Sequence, residues 1–119
     1  MHTYNAELAR VVDGDTVDAR IDLGFNVWIK RRIRLYGINA PESRTRDKAE
    51  KKRGLAAKKR LREILVNNKR KFVLKSHGDG KYGRCLGEMF LNSDEDDSVS
   101  INKMLIQEGH GVEYFGGKR

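Results

Sequence analysis

Three short clusters in the sequence combine carboxylates, guanidinium groups and glycines at spacings that could do chemistry. Val11-Val12-Asp13-Gly14-Asp15-Thr16-Val17 sets two carboxylates around a glycine at the head of a strand-like run. Carboxylate oxygens are hard ligands suited to Ca²⁺ or Mg²⁺. Asp-Gly is also an ordinary turn dipeptide, and taken alone the cluster reads first as a turn. Arg34-Leu35-Tyr36-Gly37-Ile38-Asn39-Ala40-Pro41-Glu42 opens on a guanidinium that can fork two hydrogen bonds onto a phosphate. Asn39 offers a carbonyl oxygen, and Glu42, beside a rigid proline, could accept a proton from water or orient it. Asp79-Gly80-Lys81-Tyr82-Gly83-Arg84 places two cations and a phenol among glycines, where a backbone can approach a ligand closely. A hairpin turn with exposed charges is the simpler reading of that third cluster by itself.

The elements that must position these groups follow from the hydrophobic periodicity. Val17, Ala19 and Ile21 alternate with polar residues, and Leu23-Gly24 supplies a turn signal. A second alternating run sends Val27, Ile29, Ile33 and Leu35 one way and Trp28, Lys30, Arg32 and Arg34 the other, with Arg31 breaking the series. Its three cations form a plausible wall for a phosphate, or simply a solvated face. Pro41 holds itself and Ala40 extended. From Arg44 to Arg53 the density of charge predicts an exposed loop. A helix is predicted from somewhere between Lys48 and Gly54 to about Val66, with Ala57, Leu61, Ile64 and Leu65 on one face and Asn67-Asn68 at its end. Phe72-Val73-Leu74 predicts a short strand, His77-Gly78-Asp79-Gly80 a turn, and Arg84 to Leu91 the returning strand. Asn92 to Asp97 reads as an acidic loop, which a solvated surface explains better than a stray cation. Ser100 is placed to cap a second helix presenting Ile101, Met104 and Leu105, with Gly109 as its stop. Three strands, a helix, two strands and a short helix suit a mainly β α+β fold: a five-stranded Greek-key barrel of the OB type, forming one domain over residues 1–119.

Composition narrows the partners. Lys and Arg number 25 against 17 Asp and Glu, a net charge of +8, which favours a polyanion because each phosphate neutralised releases condensed counterions. Fourteen of those cations lie between Arg44 and Lys75, against Glu42, Asp47, Glu50 and Glu63. The single cysteine, Cys85, excludes an internal disulfide and a cysteine-only zinc site. Met1 to Glu7 lacks the pattern of a signal peptide, and no apolar run has the length of a membrane span. The expectation is a soluble monomer in a reducing compartment, the cytoplasm, with a phage- or plasmid-encoded source favoured, although a trimmed secreted protein would read the same.

Taken together and in order, Asp13-Gly14-Asp15-Thr16, Arg34 to Glu42 and Lys81-Tyr82-Gly83-Arg84 resemble the staphylococcal nuclease-like (thermonuclease-type) family, and Ile101 to Ile106 with Gly109 resemble its late helix. The likeness runs from about residue 8 to residue 115. It implies a metal-dependent endonuclease that hydrolyses phosphodiester bonds in DNA, RNA or both with little sequence preference, leaving 3′-phosphates. It implies Ca²⁺ as cofactor, with Mg²⁺ or another divalent ion also open. Residue by residue, Asp15 matches the direct metal carboxylate, Asp13 the carboxylate behind it, Asn39 a position often held by aspartate, and Ala40 a backbone carbonyl ligand. Arg34 and Arg84 match the arginines on the scissile phosphate, and Glu42 the residue that activates water. Lys81 and Tyr82 match groups that hold a neighbouring phosphate, and Tyr114 lies near a tyrosine with that role. Asn39 departs from the pattern by one negative charge, which lowers the affinity expected for Ca²⁺. Two competing readings are a non-catalytic nucleic-acid-binding module on the same barrel and a basic protein-interaction domain. Neither requires Arg34, Glu42 and Arg84 together.

Overall fold

The computed structural model describes residues 3–80, 83–91 and 100–114. Its first three strands are β1 (Thr3–Asp13), β2 (Thr16–Asp22) and β3 (Trp28–Leu35). In β2 the strand period buries Val17, Ala19 and Ile21 and turns Asp18, Arg20 and Asp22 outward; in β3 it buries Ile33 and Leu35. A three-residue strand, β4 (Gly37–Asn39), precedes the helix α1 (Lys48–Asn67). There follow β5 (Lys71–Asp79), β6 (Cys85–Phe90), α2 (Ile101–Gln107) and β7 (Val112–Tyr114). Five strands close a barrel in the order β1-β2-β3-β6-β5, with β5 pairing back onto β1 and only the β3–β6 ladder parallel. This is the five-stranded Greek-key OB architecture.

One apolar core fills the barrel and extends under the helices. Val17, Ile33, Leu35, Leu74 and Met89 meet Leu61 and Leu65 of α1 and Ile101 and Leu105 of α2, all at most 1% exposed. Burying a side chain of that size contributes about 1.5–3 kcal/mol, so the barrel and helices stabilise one another. Gly54, Ala57, Leu61, Ile64 and Leu65 line the buried face of α1 at helical spacing. Asp47 caps its first turn, accepting from the N–H groups of Ala49 and Glu50 at 3.0 and 3.3 Å. Ser100 caps α2 by accepting from the N–H of Lys103 at 3.1 Å, and Gly109 follows that helix at φ +80°.

Several boundaries differ from those the sequence predicts. The Arg44–Arg53 loop ends at Asp47, because the Asp47 cap starts α1 at Lys48 although its first turns are polar on every side. The predicted His77–Gly80 turn is the end of β5, where a register shift between Ser76 and Asp79 absorbs Gly78 at φ +97°. Beyond it, the N–H of Gly80 donates to the Arg84 carbonyl at 2.7 Å, tying the end of β5 to the start of β6. Val27 is exposed, since it lies outside β3 in the turn that joins it to β2. The small antiparallel sheet of β4 and β7 has no counterpart in the sequence reading. The acidic Asn92–Asp97 segment lies outside the described residues.

Candidate active site

Strand closure at one end of the barrel brings Asp15, from the β1–β2 connection, to Arg34, Asn39 and Ala40. Asp15 sits in the tight connection between β1 and β2 and is 6% exposed. The pairing of Thr16 with Arg34 puts the end of β3 beside it, and the N–H of Leu35 donates to the Asp15 carbonyl at 2.8 Å. The Asp15 carboxylate is held from two sides: Oδ1 accepts from the Thr16 hydroxyl at 3.0 Å and Oδ2 from the N–H of Ala40 at 2.9 Å. Arg34 reaches over the same spot. Its Nη1 lies 3.5 Å from Asp15 Oδ2 and donates to the carbonyls of Leu35 and Ile38 at 2.9 and 2.7 Å, and its Nη2 lies 3.5 Å from Asn39 Oδ1. The Arg34 and Asp15 side chains are both nearly enclosed, at 12% and 9% exposure, so their attraction is little screened by salt.

Glu42 is exposed, but its backbone is fixed between two tethers. On one side Ala40 is bound to Asp15; on the other the Ser43 hydroxyl donates to Asp13 Oδ1. Arg44 adds a longer ion pair with Asp13 at 3.7 Å. Helix α1 presses on this segment from outside. A Cβ at Gly54 would collide with the Glu42 carbonyl and the Ser43 nitrogen, and one at Gly14 would lie 2.6 Å from the Ala57 side chain. Both positions therefore need a residue without a Cβ. Ser43, Gly54 and Ala57 are positioning residues that the motif reading passed over. The one available signal was a small residue interrupting the otherwise charged start of the helix.

Arg84 immediately precedes β6. The next residue, Cys85, pairs with Ile33, and Leu86 pairs with Arg34 across the parallel ladder. Asp79 and Gly83 are tied to β3 by Arg31, whose Nη2 donates to Asp79 Oδ1 at 2.7 Å and to the Gly83 carbonyl at 3.3 Å. Arg31, which breaks the alternation in the sequence, thus has a task that periodicity did not reveal. Tyr114 pairs with Gly37, at the far end of β4 from Asn39, whose own partner is Val112. Lys81 and Tyr82 lie outside the described residues. Beside Asn39, Ala40 and Pro41 opens a cleft of about 440 Å³ walled by Glu50, Arg53 and Val112. Nearby, Tyr36 stacks on His77 at 4.1 Å and 16°, and His77 Nε2 lies 2.7 Å from Glu88 Oε1. The buried Asn102 amide donates to the Tyr36 and Gly87 carbonyls at 2.7 and 3.1 Å, fixing the start of β4 from α2.

Asp15 and Asn39 turn oxygens toward the same guanidinium, and the Asp15–Ala40 hydrogen bond brings the Asn39–Ala40 peptide alongside. Among the described residues no three His, Cys, Asp or Glu gather, and the side-chain oxygens that meet here are the Asp15 carboxylate and the Asn39 amide carbonyl. That all-oxygen, weakly charged set fits a hard divalent cation that keeps part of its water shell, and does not fit zinc. Away from this site, Arg32 and Arg10 hold the Asp18 carboxyl below its ordinary range, and Arg60 does the same to Glu108.

Sequence comparison matches the staphylococcal nuclease homologue family over residues 32–118. Two curated relatives align over most of the chain. "Protein ParB" of Escherichia coli is 29% identical over 117 residues, covering 94% of this chain and 59% of that protein. "Micrococcal nuclease" of Shigella flexneri is 28% identical over 118 residues, covering 93% and 59%. The chain spans about three fifths of the length of these relatives.

Proposed function

Because the chain belongs to the staphylococcal nuclease homologue family, we propose that it is a metal-dependent endonuclease acting on DNA, RNA or both with little sequence preference. The observation that carries this reading is the convergence of Asp15 and Asn39 on the Arg34 guanidinium at the barrel end, with the Glu42 backbone anchored beside them. Asp15, Asn39 and the Ala40 carbonyl would hold the cation, with Asp13 behind them; calcium is the first candidate and magnesium the second. When bound, such an ion supplies positive charge where negative charge builds on phosphorus. Asn39 in place of a carboxylate removes one formal negative charge, so calcium is held weakly and works at high concentration.

The side chains divide the remaining work. Arg34 and Arg84 grip the non-bridging oxygens of the scissile phosphate and stabilise the five-coordinate transition state, which is the largest catalytic contribution in sites of this kind. Glu42 takes a proton from the attacking water as the P–O5′ bond breaks; the departing 5′-oxygen takes up a proton from solvent and Glu42 returns its own to solvent, leaving a 3′-phosphate and a 5′-hydroxyl. Lys81, Tyr82 and Tyr114 are assigned to the neighbouring phosphate by family resemblance.

The test is cleavage of single-stranded and plasmid DNA with Ca²⁺, with Mg²⁺ and with chelator, beside Glu42→Gln. Cleavage should require metal and fall about 10²- to 10⁴-fold in the variant. The melting temperature should stay unchanged, because the Glu42 side chain is exposed. Binding without cleavage under every metal would leave a non-catalytic nucleic-acid module on the same barrel.

A further inference from the structure

The outer surface of β2 and β3 carries a row of cations leading away from Arg34. The β2–β3 ladder pairs Thr16 with Arg34, Asp18 with Arg32, Arg20 with Lys30 and Asp22 with Trp28. With Val17, Ala19, Ile21 and Ile33 turned inward, Arg34, Arg32, Lys30 and Trp28 follow one another outside at every second residue. Their spacing is about 6.7 Å and the row is about 20 Å long. At its far end Trp28 is 40% exposed, with the Arg20 guanidinium 4.9 Å from the ring centroid. Lys30, in the middle, is exposed and has no ion-pair partner among the described residues. Arg32 shares Asp18 with Arg10, at 2.8 and 3.2 Å, which spreads two guanidinium groups around one carboxylate beside an open cleft of about 380 Å³. Beyond Arg34, four cations (Arg10, Arg20, Lys30, Arg32) face three carboxylates (Glu7, Asp18, Asp22), so the surface keeps a positive excess of one. Among the described residues, helix α1 packs on β1 and β5 and α2 on β6 and β4, so neither helix packs on this face.

We propose that this face is a track for single-stranded nucleic acid, with successive phosphates at Arg34, Arg32 and Lys30 and a base stacked on Trp28. The regular row matches an extended strand, whose phosphates recur once per nucleotide and whose bases are free to stack. A duplex fits poorly, because its bases are already stacked inside and offer Trp28 no face. The proposal rests on the nuclease reading only for the end at which the strand enters the site; binding along the track does not need cleavage.

Trp28 is the only tryptophan of the chain, so its fluorescence reports the far end of the track directly. The full chain in chelator, titrated with dT8, should show quenching with an affinity about tenfold or more above that for dT2, and little quenching by an 8-base-pair duplex. Lys30→Glu should weaken dT8 binding about fivefold or more and reduce the slope of log K against log salt by roughly 1. With metal, the same substitution should raise KM for long strands while leaving kcat and dinucleotide cleavage unchanged. Duplex quenching equal to that of dT8, or wild-type affinity in Lys30→Glu, would overturn the track. Cleavage without Trp28 quenching sinks the track and keeps the nuclease, whereas quenching without cleavage under any metal sinks the nuclease and keeps the track.

Discussion

Gly54 shows how one residue can set the geometry of the candidate site from outside it. Helix propensity alone says that alanine at an interior helical glycine stabilises by about 1 kcal/mol. Here the added Cβ would meet the Glu42 carbonyl and the Ser43 nitrogen, both backbone and neither able to swing aside. Gly54→Ala should therefore destabilise by about 1–3 kcal/mol. It should also displace Glu42, so that cleavage falls further than the loss of folded protein explains; urea denaturation and kcat on the same preparation measure the two effects. An increase in stability would mean that the Glu42 segment has more room than the packing implies. Asp15, Arg34 and Asn39, which the fold brings together, were legible in the sequence because their chemistry is carried by residue type. Ser43 and Arg31 were not, because their value lies in what they touch: Asp13 for the first, Asp79 and the Gly83 carbonyl for the second.

At the scale of elements, legibility followed periodicity. The β2 strand alternates cleanly and β3 does so apart from Arg31, and both were readable, as was the buried stripe of α1 from Ala57 onward. In β1 the register shifts between Leu8 and Arg10 and between Val11 and Asp13 break the alternation, so the longest strand left little signal. The β4 and β7 strands are three residues each and pair across most of the chain, too short for any pattern. The β2–β3 turn carries a different mismatch. Phe25 and Asn26 both adopt left-handed backbone, φ 55° and 62°, with the N–H of Val27 donating to the Gly24 carbonyl at 2.9 Å. This is the geometry of a type I′ turn, which asparagine and glycine fill easily and phenylalanine does not. Phe25 is fully exposed, so replacing it forfeits no packing. Phe25→Asn should raise stability by roughly 0.5–1 kcal/mol, read as a higher denaturation midpoint at unchanged m-value. A loss of stability would show that the ring makes a contact worth more than the backbone strain.

For the molecule as a whole, charge is the quantity in tension: a net +8 that suits a polyanionic ligand also repels itself in the folded state. Asp18 relieves part of that repulsion on the β2–β3 face by accepting Arg32 at 2.8 and 3.1 Å and Arg10 at 3.2 Å. These guanidinium groups hold its carboxyl below the ordinary value when folded. The folded state thus binds the proton less readily than the unfolded chain does. The stabilisation is fully present above the unfolded carboxyl value near about pH 4 and is lost as pH falls through the lower folded value. Asp18 is 29% exposed at its side chain, so the pair contributes no more than about 1 kcal/mol. The melting temperature of Asp18→Asn should therefore lie below wild type at pH 6 and converge with it toward pH 3. Added salt at pH 6 should narrow the gap, because it screens the partly exposed pair and the surrounding cations alike. A gap that persists unchanged to pH 3 would mean that Asp18 supports β2 by packing or by neutral hydrogen bonding. In that case, the restraint on the molecule's excess charge would have to reside elsewhere, with the Arg60–Glu108 pair joining α1 to the end of α2 the next to examine.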